Sequence, residues 1–86
     1  MEIIVRKPTA ADKKTSATWP IWTKEASSFP WHYDDQETCY ILEGAVTVQA
    51  GPDQVSFGAG DWVVFPKGLD CTWNVKQPVR KHYKFG

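Results

Sequence analysis

The strongest constraint on the fold is a series of short strand-like segments, separated by turn residues, that fills the chain from residue 31 onward. Each segment is rich in β-branched and aromatic residues, and together they cover residues 37–44, 45–50, 54–58, 61–66, 71–75 and 79–85. Turn residues, mainly Gly and Pro, mark the breaks and predict turns at 43–44, 51–53, 58–60, 66–68 and 77–78. Short strands at this spacing are typical of a β-sandwich or closed barrel, and not of a parallel sheet with crossover helices. The sequence therefore predicts an all-β protein.

The first third of the chain is less regular. Residues 2–6 predict a short strand, and the polar stretch 9–17 predicts a surface helix of one or two turns that Thr9 caps. In residues 18–28, Pro20 restricts any strand to a sheet edge or to a strand start. The chain is long enough for one domain but not for two, so we expect a single domain over residues 1–86 with at most one short N-terminal helix.

Composition limits the classes of partner. Twelve of the 86 residues are Trp, Tyr or Phe, and their large buried areas offset the small size of the domain. Ten basic and ten acidic residues cancel, which argues against binding to nucleic acid or to an anionic membrane. No apolar run or leader-like segment is present, so we expect a cytoplasmic protein whose Cys39 and Cys71 are free thiols. A net charge of zero favours self-association, and we expect a homodimer that uses an exposed aromatic edge.

Two spaced motifs resemble those of cupins. The first cupin motif ends in E-x6-G, which Glu37 and Gly44 match, and the second begins G-x5-P-x-G, which Gly60, Pro66 and Gly68 match. The segments ETCYILEG, FPKGLDCTWNV and PVRKHYKF look like one subgroup, the small single-domain cupins related to the cupin domain of ureidoglycine aminohydrolase. The resemblance covers most of the chain and implies a jelly-roll β-barrel. Two spaced motifs in the right order make the resemblance specific for the fold. It says much less about function, because cupins range from enzymes to storage proteins.

The histidines of the cupin pattern are mostly missing. A cupin metal centre usually has three histidines and one glutamate, and Glu37 stands at the position of that glutamate. One spacing of the motif places His32 at the second histidine position and Pro30 at the first. The other spacing places Tyr33 and Trp31 at those two positions. At most one of the three family histidines is therefore present.

A reduced metal centre is one alternative that the resemblance implies. The third histidine position holds Cys71 and the final asparagine position holds Val75. The candidate metal ligands are then His32, Glu37 and Cys71, and three protein ligands plus water form a legitimate catalytic zinc site. The cofactor is thus either one divalent metal or none.

Strand alternation predicts which side chains line the barrel. If Glu37 faces inward, so does Cys39, and if Cys71 faces inward, so does Trp73. A buried carboxylate needs a partner, such as an arginine or a tyrosine hydroxyl. With Trp31 or Tyr33 at the mouth, the predicted ligand-binding pocket consists of Trp31, Tyr33, Glu37, Cys39, Cys71 and Trp73.

Three hypotheses for function follow, and they leave open whether the protein is an enzyme. The favoured one is a small-molecule-binding cupin that holds a flat or carbohydrate-like ligand with aromatic side chains around one carboxylate. The second is a metal-dependent enzyme resembling ureidoglycine aminohydrolase, in which the metal activates an amine or water. The third is a non-catalytic dimeric module that acts through its interaction surface.

Overall fold

The computed structural model describes all residues from 1 to 86 and contains seven β-strands and one short helix. In chain order these elements are β1 Ile4–Arg6, α1 Ala10–Ser16, β2 Ile21–Lys24, β3 Ser27–His32, β4 Glu37–Ala50, β5 Asp53–Gly58, β6 Trp62–Phe65 and β7 Asp70–Phe85. All strand pairs are antiparallel. The predicted all-β fold with one short N-terminal helix is confirmed.

The helix begins where the sequence predicts it, because Thr9 and Asp12 form a capping box. The Asp12 backbone N–H donates to the Thr9 hydroxyl at 3.1 Å, and the Thr9 backbone N–H donates to the Asp12 carboxylate at 2.8 Å. Arg6 also donates to this carboxylate at 2.8 Å, which ties the helix to β1. These hydrogen bonds, led by the one from Arg6, lower the pKa of Asp12 to about 2.

The two long strands β4 and β7 form the centre of the sheet. Turns predicted at 43–44 and 77–78 are wrong, because both strands continue through these positions. The register between the two strands shifts three times across this stretch, which marks β-bulges. Gly44 has a φ of +106°, and a Cβ there would lie 2.5 Å from the Pro78 carbonyl oxygen. The turn residues therefore mark a place where two strands bend and approach closely, and not a chain reversal.

The partners of β4 and β7 change along their length. The outer edge of β4 pairs first with β6 and then with β5, whereas the outer edge of β7 pairs first with β3 and then with β2. One half-sheet has the order β1-β6-β4-β7-β2, and the other consists of β5, β4, β7 and β3. Because each half-sheet buries one face against the other, the result is the expected jelly-roll architecture.

The sequence did not predict β3, which contains a proline. Pro30 is tolerated because β3 pairs with β7 on one side only, so its missing N–H faces the free edge. The neighbouring strand β2 begins directly after Pro20 and also lies at an edge, as the sequence predicts.

Aromatic side chains join the two half-sheets in one core of 13 buried apolar residues. The Phe65 and Trp73 rings, which come from opposite halves, lie 5.4 Å apart between centroids. Phe57 contacts both of them, at 5.9 and 5.6 Å. Each such aromatic pair stabilises a fold by about 0.5–1.5 kcal/mol beyond its buried area, so the aromatic content offsets the small size of the core.

The N-terminal strand lies at the periphery. β1 pairs with β6 alone, and its exposed side chains include Ile4 and Val5. The homodimer expected from the sequence stays a prediction. None of the helical structure combines the length and hydropathy needed to cross a membrane.

Candidate functional site

An open cavity of about 160 Å³ lies between the two half-sheets. All seven of its apolar lining residues are aromatic, and one acid and one base complete the wall. The lining residues are Trp22, Phe29, Trp31, Tyr33, Glu37, Trp73, Lys81, Tyr83 and Phe85. The cavity thus combines a wide apolar surface with a single pair of opposite charges.

A buried ion pair stands in the wall of this cavity. Glu37 begins β4, and the register pairs Lys81 of β7 with Ile41, so the lysine side chain reaches along the strand to the carboxylate. Its Nζ lies 2.7 Å from Glu37 Oε2. Glu37 and Lys81 are only 3% and 4% exposed. Charges this deeply buried need close partners, and each residue supplies one for the other.

Three further contacts complete the surroundings of the pair. The Lys81 ammonium faces the Trp22 and Trp73 rings at 4.8 and 4.6 Å from their centroids, which is cation–π geometry. The Tyr33 hydroxyl donates to Glu37 Oε1 at 2.9 Å. Burial, and then the negative charge of Glu37, raise the pKa of Tyr33, so the hydroxyl stays protonated and remains a donor. Both carboxylate oxygens therefore already have a donor from the protein.

The turn before β7 positions Tyr33. The Tyr33 backbone N–H donates to the Leu69 carbonyl at 2.9 Å, and the Gly68 N–H donates to the Tyr33 carbonyl at 2.7 Å. The Tyr33 ring stacks on Phe65 with 4.9 Å between centroids and 9° between planes. The second motif of the sequence thus holds the side chain that contacts the carboxylate of the first motif.

His32 lies on the other face of β3. Its side chain is 52% exposed, and its Nδ1 lies 2.6 Å from the Asp70 carboxylate. Its Nε2 lies 3.6 Å from Asp34, which is also exposed. Of the two possible spacings of the first motif, the one that places Trp31 and Tyr33 at the histidine positions puts its side chains in the cavity wall.

The two cysteines are buried free thiols outside the cavity wall. Cys39 Sγ lies 3.7 Å from the Val63 carbonyl oxygen, and Cys71 Sγ lies 3.7 Å from the Trp31 carbonyl oxygen. Burial raises the pKa of Cys39 to about 12 and that of Cys71 to about 11. Both side chains are therefore protonated at neutral pH and pack as small apolar groups.

The structure brings together four of the six predicted pocket residues, namely Trp31, Tyr33, Glu37 and Trp73. It does not bring together the three candidate metal ligands, because His32 points outward while Glu37 is held by Tyr33 and Lys81. No group of three or more His, Cys, Asp or Glu side chains has metal-binding geometry. These residues do not fit a divalent metal.

The sequence interpretation missed five lining residues, and one of them carries the positive charge. Alternation predicts that Trp73 and Val75 face inward, and the same count continues through Pro78 to Val79 and Lys81, which are also buried. The sequence predicts two strands separated at Pro78, so the alternation was not followed as far as Lys81. The same count reaches Tyr83 and Phe85, whereas Trp22 and Phe29 lie on the edge strands β2 and β3 and carry no comparable signal in the sequence.

Comparison with known proteins supports the cupin assignment. A family model described as the EutQ-like cupin domain matches residues 11–83. The crystal structure of a DUF861 family protein from Thermotoga maritima is 49% identical in sequence and superposes with a TM-score of 0.94. That match covers 99% of this chain and 100% of the other. No curated protein matches the chain significantly.

Two longer proteins share the fold. The EutQ protein of Clostridium difficile is 22% identical, with a TM-score of 0.70 over 76% of this chain and 52% of the other. A candidate ethanolamine utilization protein Q from Salmonella typhimurium is 26% identical, with the same TM-score, over 76% and 53%. The chain thus spans about half the length of these two proteins. The narrower resemblance to ureidoglycine aminohydrolase stays a prediction, and the chain belongs to the EutQ-like cupin domain family.

Proposed function

We propose that this cupin binds a small molecule with a flat ring in the aromatic cavity. Seven aromatic side chains line the cavity, and aromatic faces bind flat ligands by stacking. Pockets of this kind are typically apolar with a few polar groups that orient the ligand. The proposal leaves open whether the bound molecule is then transformed.

The observation that carries the proposal is an unpaired hydrogen-bond donor in the cavity wall. Trp73 is 2% exposed, and no acceptor meets its indole N–H with hydrogen-bond geometry, although the Tyr33 hydroxyl lies near it. A buried donor without a partner costs about 1–3 kcal/mol. The N–H itself is fully buried, so the proposal requires that it turns towards the cavity when a ligand binds, and an oxygen or nitrogen acceptor on that ligand would then remove this cost. The proposed ligand therefore carries an acceptor atom beside its ring.

The size of the cavity points to a single ring. Its volume of about 160 Å³ is close to that of an engineered apolar cavity of about 150 Å³ that binds benzene. The Glu37 and Lys81 charges already compensate each other, so the ligand needs no charge of its own at that end. Benzyl alcohol, a neutral ring with one acceptor oxygen, has the proposed features, and toluene lacks only the oxygen.

Calorimetric titration of the protein with benzyl alcohol, toluene and glucose tests the proposal. We expect saturable binding of benzyl alcohol, about two- to tenfold tighter than toluene because of the extra hydrogen bond. Trp31→Ala should weaken benzyl alcohol binding about three- to tenfold, since it removes one stacking surface at the cavity mouth. The matched control is Ile21→Ala, because Ile21 is 43% exposed, like Trp31 at 46%, but lies outside the cavity.

Two results would count against the proposal. One is the absence of saturable binding by either ring compound. The other is equal binding by the wild type and by Trp31→Ala, which would place the ligand elsewhere. Binding of glucose in preference to both ring compounds, if Trp31→Ala weakens it, would keep the cavity as the site and change the ligand class to carbohydrates.

A further inference from the structure

The Glu37 carboxylate has the surroundings of a binding site for an organic cation. Carboxylates and the faces of tryptophan rings both attract ammonium groups, and indole is the strongest of the aromatic partners. Here one carboxylate and two indole rings, those of Trp22 and Trp73, converge on a single point. The occupant of that point is the Lys81 ammonium of the chain itself.

We propose that Lys81 is a tethered cation, which fills a cation-binding position in the cavity and thereby excludes divalent metal ions and free ammonium compounds. In other cupins the glutamate at the position of Glu37 contributes to a metal centre. Here the Lys81 ammonium takes the place of the metal ion beside this carboxylate. The inference goes beyond small-molecule binding. It does not depend on which molecule the cavity binds.

The local charges support this exclusion. Glu37 is the only buried carboxylate, and Lys81 and Tyr33 already donate to its two oxygens. Burial raises the pKa of Tyr33 and of Cys39, so both neighbours stay neutral and add no second negative charge. A divalent ion that displaced the lysine would leave its ammonium buried and unpaired beside two positive charges, which is strongly unfavourable in a low-dielectric interior.

The tether gives Lys81 a further advantage over free cations. A group attached to the strand competes as an intramolecular ligand, with an effective concentration in the millimolar range or above. The tethered ammonium therefore occupies the site more fully than a free ammonium compound of the same affinity at a lower concentration. An ordinary structural ion pair and a filled cation site share these contacts, but only a cation site will accept a free ammonium ion once the tether is removed.

Chemical rescue of Lys81→Ala separates the two interpretations. The substitution removes the side chain beyond Cβ, and propylammonium has the same heavy atoms as the missing part. We expect about 50 mM propylammonium to raise the Tm of the variant by about 5 °C, since the ligand binds only the folded state. 1-Propanol, which has the same shape without the charge, should have little effect. Wild type and Lys84→Ala, which alters an exposed lysine on the same strand, should not respond.

Two additional measurements keep the test decisive. Propylammonium should not rescue Glu37→Gln/Lys81→Ala, because the carboxylate that attracts the ammonium is gone. If Lys81→Ala does not fold alone, its refolding yield with propylammonium, compared with the yield with 1-propanol, gives the same information. Titration of the wild type with zinc and manganese chlorides should detect no metal bound through Glu37.

The proposal is overturned if propylammonium does not rescue Lys81→Ala, if 1-propanol rescues the variant equally well, or if rescue persists without the Glu37 carboxylate. It is also overturned if wild type binds one equivalent of metal that Glu37→Gln abolishes. These outcomes are independent of the benzyl alcohol titration. Failure of ligand binding and failure of the tethered-cation proposal can therefore be told apart.

Discussion

Two close contacts between a basic side chain and a carboxylate lie on opposite sides of the cavity wall, and they differ in almost everything except the distance between the charged or polar atoms. Inside, Lys81 Nζ lies 2.7 Å from the Glu37 carboxylate, and outside, His32 Nδ1 lies 2.6 Å from the Asp70 carboxylate. The inner side chains are 5% and 3% exposed, whereas the outer ones are 52% and 84% exposed. Water and salt screen the outer pair, but hardly reach the inner one.

The distance between the two groups therefore does not measure how much a charged contact contributes to stability. An exposed pair gains little because both groups are well solvated when apart. A buried pair has already lost its solvation, so removal of one partner leaves the other stranded in a medium of low polarity. Equivalent substitutions should therefore lower the free energy of unfolding much more at the cavity wall than at the outer surface.

The largest expected effect comes from Lys81→Met, which keeps the length of the side chain but removes its charge. Glu37 would then be buried with Tyr33 as its only donor, and such unpaired charges destabilise proteins by about 3–5 kcal/mol. Urea unfolding of wild type and variant measures this difference in the free energy of unfolding.

A second substitution checks the cause of that loss. Glu37→Gln combined with Lys81→Met removes both charges, so the double variant should regain part of the stability lost by Lys81→Met alone. A loss below about 1 kcal/mol for Lys81→Met would mean that the inner pair is no more important than an exposed one.

Much of the fold could be predicted from local patterns. The inward-facing residues Glu37 and Cys39 on β4, and Cys71 and Trp73 on β7, follow from strict alternation within single strands. Thr9 marks the start of the helix because its capping box is complete within four residues. These signals are reliable because the physical cause and its effect lie close together in the chain.

The continuity of the long strands could not be predicted in this way. Whether Gly44 and Pro78 mark a reversal or a bend depends on their close approach across two strands, and no local signal contains that information. The same error concealed Lys81, whose inward position becomes evident only when β7 is counted through the proline. The outward turn of His32 likewise depends on a register that the first motif leaves ambiguous.

A smaller effect is expected at alkaline pH, where a buried thiol on the inner face makes the free energy of unfolding depend on pH. Burial raises the pKa of Cys39 from 9.0 to about 12, so the folded protein retains a proton that the unfolded chain releases. The contribution of this thiol is complete well below pH 9 and is lost as the pH rises from 9 towards 12, with a slope that approaches about 1.4 kcal/mol per pH unit above pH 10. Cys71 and Tyr33 shift in the same direction. Urea unfolding at intervals between pH 8 and pH 10 measures the slope.

Cys39→Ala supplies the control for the alkaline slope. The variant lacks one of the retained protons, so its stability should fall less steeply with pH than that of the wild type, even though its stability at pH 8 is lower. Identical slopes for the two proteins would show that the Cys39 thiol is not protected from ionisation.

The smallest expected effect belongs to the outer pair, and Asp70→Asn tests it. The substitution keeps the shape of the side chain and removes one charge of an exposed contact, which contributes at most about 1 kcal/mol. We expect the free energy of unfolding to fall by less than about 0.5 kcal/mol at low salt. At about 1 M NaCl the Debye length is only about 3 Å, and we expect no loss. The effect of Lys81→Met, by contrast, should persist at high salt, because ions do not enter the buried pair. If Asp70→Asn destabilised the protein as much as Lys81→Met at both salt concentrations, burial would not be what separates the two pairs.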